Sequence, residues 1–303
     1  MKSQTDNIAK EDAYTLALFA QDEIKLLRNL QALIGVRYIY HENFKNHATP
    51  NVALMYKPGK FNFRASYAAG FRTPTLSELY ATDIAKKNDR LTIGNLDLKP
   101  EKNNYFSLSA EYVHERFSVS VNAFYNNIRD MIDYNTIATG DKAMEQYGHK
   151  EVRQRDNIAE AKVHGINVSA NAYLGAGFNL SGGYTHLNTQ DVELEQPIDK
   201  SIKNAYNINA QWAHSWKIYR LNINLNGRFN SKRFSKSYGY APEYQLWDLN
   251  TRHSFNLKSV IIEPGCGMEN LFDYMDDRPY NSNYATLTPG RSFYISLSLK
   301  FKS

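Results

Sequence analysis

From Leu221 to Asn230 the chain alternates without exception: Leu221, Ile223, Leu225, Gly227 and Phe229 are apolar, while Asn222, Asn224, Asn226, Arg228 and Asn230 are polar. A period of two marks an extended strand whose two faces meet different surroundings. The pattern recurs in Phe117, Val119, Val121, Ala123 and Tyr125 against Ser118, Ser120, Asn122, Phe124 and Asn126. It recurs again in Phe293, Ile295, Leu297, Leu299 and Phe301 against Ser292, Tyr294, Ser296, Ser298 and Lys300. These apolar faces carry no charge at four or five successive positions. A tilted strand of about 9–11 residues crosses a bilayer core and needs about that many apolar positions. The alternation predicts thirteen strands, near 12–23, 30–41, 49–57, 60–71, 103–114, 116–128, 152–174, 176–188, 203–214, 218–231, 243–256, 259–270 and 291–302. No helix is predicted; Asp12–Leu33 is the one stretch where a helix competes.

The connections narrow the architecture. Tight ones fall at Lys57–Lys60, His114–Arg116, Leu174–Gly177, His214–Lys217 and Asn256–Ser259. Long ones fall at His41–Ala48, Arg72–Lys102, Arg129–Glu151, Leu187–Lys203, Ser231–Pro242 and Leu271–Gly290. Tight and long alternate, so the hairpin turns lie at one end of the sheet and the loops at the other. Transmembrane barrels of the outer-membrane type have this asymmetry, with short periplasmic turns and long outer loops. Soluble sandwiches mix connection lengths and use Greek-key crossings. Aromatics near strand ends, among them Tyr67, Phe71, Tyr112, Phe117, Trp212, Trp216 and Tyr219, suit interfacial girdles. The expected fold is therefore all-β, a transmembrane antiparallel β-barrel.

Composition agrees. No run among the 303 residues approaches the roughly 18 apolar positions of a membrane helix, which excludes helical spans and leaves barrel strands open. Tyrosine is abundant, at 22 residues, as suits strands. The net charge of +5 is dispersed, with no basic block to engage nucleic acid. Cys266, the single cysteine, excludes an internal disulfide and a multi-cysteine metal site. Met1–Tyr14 lack the apolar core and cleavage site of a signal peptide. No nucleophile–base set or metal cluster stands out, so enzymatic activity is not expected.

The stretch from Phe61 to Leu108 carries a family likeness. Phe71-Arg72-Thr73-Pro74-Thr75-Leu76-Ser77-Glu78-Leu79 closes one strand, and Gly94-Asn95-Leu96-Asp97-Leu98-Lys99-Pro100-Glu101 leads into the next. Both resemble boxes of the TonB-dependent outer-membrane receptors, with Thr73 in place of the usual alanine and Leu96 in place of the usual proline. Phe124–Ile132, Ala159–Asn167, Glu269–Asp273 and Pro289–Tyr294 resemble later segments of the same family in the same order. The likeness spans essentially the whole chain, residues 1–303.

The resemblance implies a bacterial outer-membrane location and a 22-stranded barrel, of which this chain supplies about the last 13 strands. It implies an N-terminal plug, further strands and a signal peptide upstream. Outer-membrane lipid surrounds such a barrel, and the TonB energy-transducing complex acts through the plug. The implied ligand is a ferric siderophore, haem or cobalamin, with no resident cofactor and no metal site of the protein's own. A passive porin-like channel, a surface binding or adhesion barrel, and a non-functional truncated receptor are the alternatives. Candidate ligand contacts lie in the outer loops. His41 and His47 could form a metal or haem pair, as could His149 beside Tyr147. Arg72, Tyr80 and Arg90 could meet an anionic siderophore, although Arg72 also reads as a loop anchor for Glu78. The absence of histidine from Thr75 to Gly94 weighs against haem. Asp191, Glu193 and Glu195 alternate as on a strand extension; they resemble calcium-assisted loops of cobalamin receptors or else form a solvated face.

Overall fold

The computed structural model describes residues 12–86, 88–158, 160–235, 239–276 and 288–302. Among these residues, thirteen antiparallel strands form one sheet whose spatial order is the order of the sequence. The first four are β1 (Thr15–Leu27), β2 (Leu30–His41), β3 (Lys45–Tyr56) and β4 (Phe61–Arg72). A loop follows containing α1 (Leu76–Tyr80), β5 (Thr82–Ala85) and β6 (Arg90–Ile93). The sheet resumes with β7 (Glu101–Val113) and β8 (Phe117–Arg129). A second loop holds β9 (Ile132–Thr139), α2 (Gly140–Tyr147) and β10 (Glu151–Asn157). Next come β11 (Ala161–Gly175), β12 (Phe178–Asp191), β13 (Asn204–Trp216) and β14 (Tyr219–Asn230). The short hairpin β15 (Arg233–Ser235) and β16 (Gly239–Ala241) precedes β17 (Tyr244–Asn256), β18 (Val260–Glu269) and β19 (Ser292–Phe301). The sheet is open, with β1 and β19 at its margins.

The register explains the alternation. One row reads Phe117, Ala172, Leu180, Ala210, Leu225, Leu249, Met268, Phe293 across eight strands, all apolar. An adjacent row on the other face reads Ser118, Asn171, Ser181, Asn209, Asn226, Asp248, all polar. Within the polar face the Asn209 side-chain amide donates to Asn224 and Asn226. Because paired residues share a face, a one-residue slip would exchange the two surfaces, and the pattern thus fixes the register.

Aromatic belts bound the apolar face. Near the tight turns stand Phe61 against Tyr112 (4.8 Å between ring centroids), Trp216 against Tyr219 (5.5 Å) and Tyr219 against Phe255 (5.0 Å). Toward the loops stand Tyr67 against Phe106 (4.9 Å) and Tyr184 against Tyr206 (4.6 Å). Phe61 and Tyr67 are six positions apart in one strand, about 20 Å of rise.

Four expectations need correction. The connection after His41 is not long: β3 starts at Lys45, with His41 paired to Lys45 across a three-residue turn. The β3–β4 ladder begins only at Asn51 opposite Ala68, so Pro50, with no amide to give, stays outside it. The expected strand 152–174 is two elements, β10 in a loop sheet and β11 in the main sheet, with Ala159 between them outside the described residues. Two short helices occur among the described residues where none was predicted. Asp191 ends β12 and is buried; its carboxylate accepts the Leu194 amide (3.1 Å) in a turn closed by Gln196, so no strand extension carries Glu193 and Glu195.

The register yields a prediction. Leu225→Arg, at the centre of the apolar row, should destabilise the folded barrel in lipid by roughly 2–4 kcal/mol. Asn224→Ser on the polar face should cost far less. Urea unfolding in liposomes, followed by tryptophan fluorescence, measures both.

Candidate functional site

The site begins where β4 ends. Pro74 prevents continuation of the strand, and Thr75 caps α1 with a reciprocal box: its hydroxyl accepts the Glu78 amide, and Glu78 accepts the Thr75 amide (2.8 Å). Arg72 then reaches two carboxylates. Its Nη1 donates to Glu78 (2.9 Å) and its Nε to Glu101 (2.7 Å), with Nη2 completing the fork on Glu101. Glu101 also accepts the Ile132 amide (2.8 Å). Burial alone would push the Glu78 carboxyl up, but hydrogen bonds from Arg72 and Thr75 outweigh it and hold its pKa below the usual carboxylate value.

Asn157 continues the fastening. Its side chain accepts the Lys99 amide (2.6 Å) and donates to the carbonyls of Lys99 (2.8 Å) and Asp130 (2.6 Å). Leu79, Leu98 and Ile132 form a small buried core beneath, flanked by Phe44 and Tyr80. Gly94 is needed there because a Cβ would lie 2.5 Å from the Leu79 carbonyl oxygen.

Upon this base sits a four-stranded loop sheet in the order β5-β6-β10-β9. Its centre is a parallel pair, β6 with β10, joining the loop between β4 and β7 to the loop between β8 and β11. The Asp89 carbonyl accepts the Lys150 amide (3.0 Å), and the Asp89 carboxylate pairs with His149 Nδ1 (2.9 Å). That hydrogen bond from His149 holds the Asp89 carboxyl below its usual range. Val152 and Ala143 of α2 are fully buried, and α2 lies against β9 and β10.

The face of this sheet opposite Val152 is rich in arginine, with the carboxylates Glu151 and Asp83 on the same side. Arg153 and Arg155 project from β10 on the side of Glu151, whose partner in β6 is Arg90. The Arg155 guanidinium lies 3.7 Å over the Tyr134 ring and donates to its hydroxyl (2.6 Å). Arg153 donates to Glu151 (2.6 Å). Arg90 Nε is buried without a hydrogen-bond partner among the described residues. Three guanidinium groups and a phenol on one sheet face suit an anion rich in oxygen, since guanidinium forks match carboxylate and phenolate acceptors.

The predicted contacts distribute as follows. Arg72 has the geometry of the loop anchor. Tyr80 packs on the small core, and Tyr147 ends α2 beside the turn that carries His149. Arg90 opens β6 opposite Glu151, and His149, just before β10, pairs with Asp89, just before β6. His41 and His47 flank a turn rather than lying in a loop: His41 Nδ1 accepts the Asn43 amide (3.2 Å), and His47 Nε2 donates to the Phe44 carbonyl (2.8 Å) while its ring stacks on Phe71 (3.7 Å). Arg153, Arg155 and Tyr134 were not singled out from sequence. Their signal was present in Arg153-Gln154-Arg155, which puts two cations on one side of any strand.

The family model for the TonB dependent receptor-like β-barrel matches residues 2–271. The chain belongs to this family. As a TonB-dependent receptor barrel it is an outer-membrane protein, and its family and structural neighbours are transport receptors, not enzymes. Among solved structures it is similar to a ferric enterobactin receptor mutant from Pseudomonas aeruginosa, PfeA, in complex with enterobactin: TM-score 0.76 at 20% identity, over 95% of this chain and 46% of that one. It is similar also to the siderophore receptor PirA from Acinetobacter baumannii (TM-score 0.74, 16% identity, 98% and 48%). The copper transporter OprC follows with TM-score 0.68 at 11% identity, over 94% and 47%. The chain thus spans about half the length of these solved structures.

Two outcomes test the anchor. Arg72→Ala should leave Glu78 and Glu101 facing each other unpaired and loosen residues 73–101 by roughly 1–3 kcal/mol, the range of a broken, partly exposed pair. Faster hydrogen exchange in that segment and at Ile132 reads this out. Because the Glu78 pKa is lowered by folding, its contribution is present above the unfolded value of about 4.3 and is lost as pH falls through the folded one. Limited proteolysis of the loop should therefore accelerate as pH falls below about 4.3, and Glu78→Gln should diminish that step, Glu101 on the same arginine supplying the rest.

Proposed function

We propose that this chain carries the loop end of an energised receptor for an anionic iron chelate, a ferric siderophore. The observation that carries the reading is the face formed by Arg90, Arg153, Arg155 and Tyr134, with Arg90 Nε still lacking a partner among the described residues. Catecholate and carboxylate chelates present several anionic oxygens on a rigid metal complex, which guanidinium groups bind at a cost that fixed geometry reduces. His149 and Tyr147 border the same loop sheet and are proposed as further contacts, with Arg72 holding the platform. Haem and cobalamin are the other readings. Against haem stand the turn-internal hydrogen bonds of His41 and His47 and the histidine-free run from Thr75 to Gly94.

Transport in this reading requires strands to satisfy the free margins of β1 and β19, because unpaired backbone is not tolerated in hydrocarbon. It also requires a plug through which the TonB complex acts. A passive channel or an adhesion barrel would need no plug. Such a protein would bind none of these chelates saturably.

Titration of the complete purified receptor with a ferric catecholate, haem and cobalamin, followed by tryptophan quenching, decides among them. The ferric chelate should saturate, and replacing Arg90, Arg153 and Arg155 by Gln should weaken it by about tenfold per arginine. Saturation by haem or cobalamin alone would refute the siderophore assignment. No saturable response to any ligand would refute the receptor reading.

A further inference from the structure

The tight turns form a rim whose charge is one-sided. The β1–β2 turn carries Arg28, the β3–β4 turn Lys57 and Lys60, the β7–β8 turn Arg116, the β13–β14 turn Lys217 and the β17–β18 turn Lys258. Only the β11–β12 turn, Ala176-Gly177, has no cation, and Glu115 is the one carboxylate in any of them. The long loops at the other end mix both signs, as in Asp83, Lys86, Asp89 and Arg90 or Asp141, Lys142 and Glu145.

These turns stand side by side because each is hydrogen-bonded to the next hairpin. The Lys57 amide donates to Asn29 (2.7 Å), Val113 to Lys60 (2.9 Å), Tyr173 to Arg116 (2.7 Å), Ala213 to Gly177 (3.0 Å) and Asn256 to Ile218 (2.7 Å). All six cations are exposed, and none is ion-paired among the described residues. The aromatic belt of Phe61, Tyr112, Phe117, Trp216, Tyr219 and Phe255 lies within a few residues of them, on the apolar face. Aromatic rings settle at the boundary between hydrocarbon and headgroup. Cations a few residues farther out, on flexible stems, then fall at the depth of the lipid phosphates.

We propose that this rim is a binding collar for anionic phospholipid in the periplasmic leaflet of the outer membrane. Its occupant is a glycerophospholipid with a net negative headgroup, recognised by phosphate charge rather than by headgroup shape. An acidic periplasmic polypeptide would meet the same charge, but the continuity of the cations with a lipid-facing aromatic belt favours lipid.

The test uses the complete receptor reconstituted in phosphatidylcholine vesicles with chain-spin-labelled phosphatidylglycerol or phosphatidylethanolamine. Motionally restricted phosphatidylglycerol should exceed phosphatidylethanolamine about twofold to fivefold at low salt, and the excess should shrink as salt screens the collar. A variant carrying R28Q, K57Q, K60Q, R116Q, K217Q and K258Q should lose the excess. The corresponding Lys→Arg variant, K57R, K60R, K217R and K258R, should keep it, as should K86Q and K142Q in the outer loops. Circular dichroism checks strand content, and the salt titration of the unaltered protein stands without any variant. Equal association of both lipids would overturn the proposal. So would an excess that survives the glutamine variant, or capture of an acidic polypeptide by the rim while the lipids show no preference.

Discussion

Hydrocarbon offers the peptide group no hydrogen-bond partner, and nearly every feature of this chain follows from that. Strands must pair with their neighbours wherever they cross hydrocarbon, so the chain runs as a meander in which each strand finds its predecessor and successor. Pairing fixes the register, the register separates the faces, and lipid then selects an apolar row such as Ala210, Leu225, Leu249 and Met268. Side chains confirm a geometry that the backbone has already dictated. Beyond the bilayer the same rule relaxes, and that is where the helices, the parallel pair and the Arg72 ion pairs are found.

The sheet was legible in the sequence because only an extended strand with unlike faces keeps a period of two over ten or more residues. The loops were legible only in part. Strands β5 and β6 have four residues each, too short for a period to declare itself, and β6 owes its place to β10, about sixty positions later. No local pattern encodes such a parallel pairing. The run Asn46-His47-Ala48 looks like a loop, yet it belongs to β3 because pairing with β2 outweighs its weak strand character. Of the site, Arg72 and Arg90 were visible as charges close to boxed motifs. Arg153 and Arg155 were hidden inside what read as one continuous strand.

The Arg72 fork ties the two boxes of this chain together. One guanidinium joins the end of β4, Glu78 of α1 and the start of β7, and through Glu101 it reaches the backbone of Ile132. Asn157 does for β10 what Glu101 does for β9, tying its end to Lys99 and Asp130 with side-chain hydrogen bonds. The loops are therefore held by polar fastenings at their feet, where the small Leu79–Leu98–Ile132 cluster supplies the apolar burial. Such a base resists sliding better than a purely greasy one, since each hydrogen bond has a direction.

The parallel pairing of β6 with β10 has a consequence for how the outer loops are ordered. Two outer loops that would otherwise be ordered separately are joined into one sheet rising from β4, β7, β8 and β11. Much of the ordering entropy of both loops is thereby surrendered at folding and not at any later binding step.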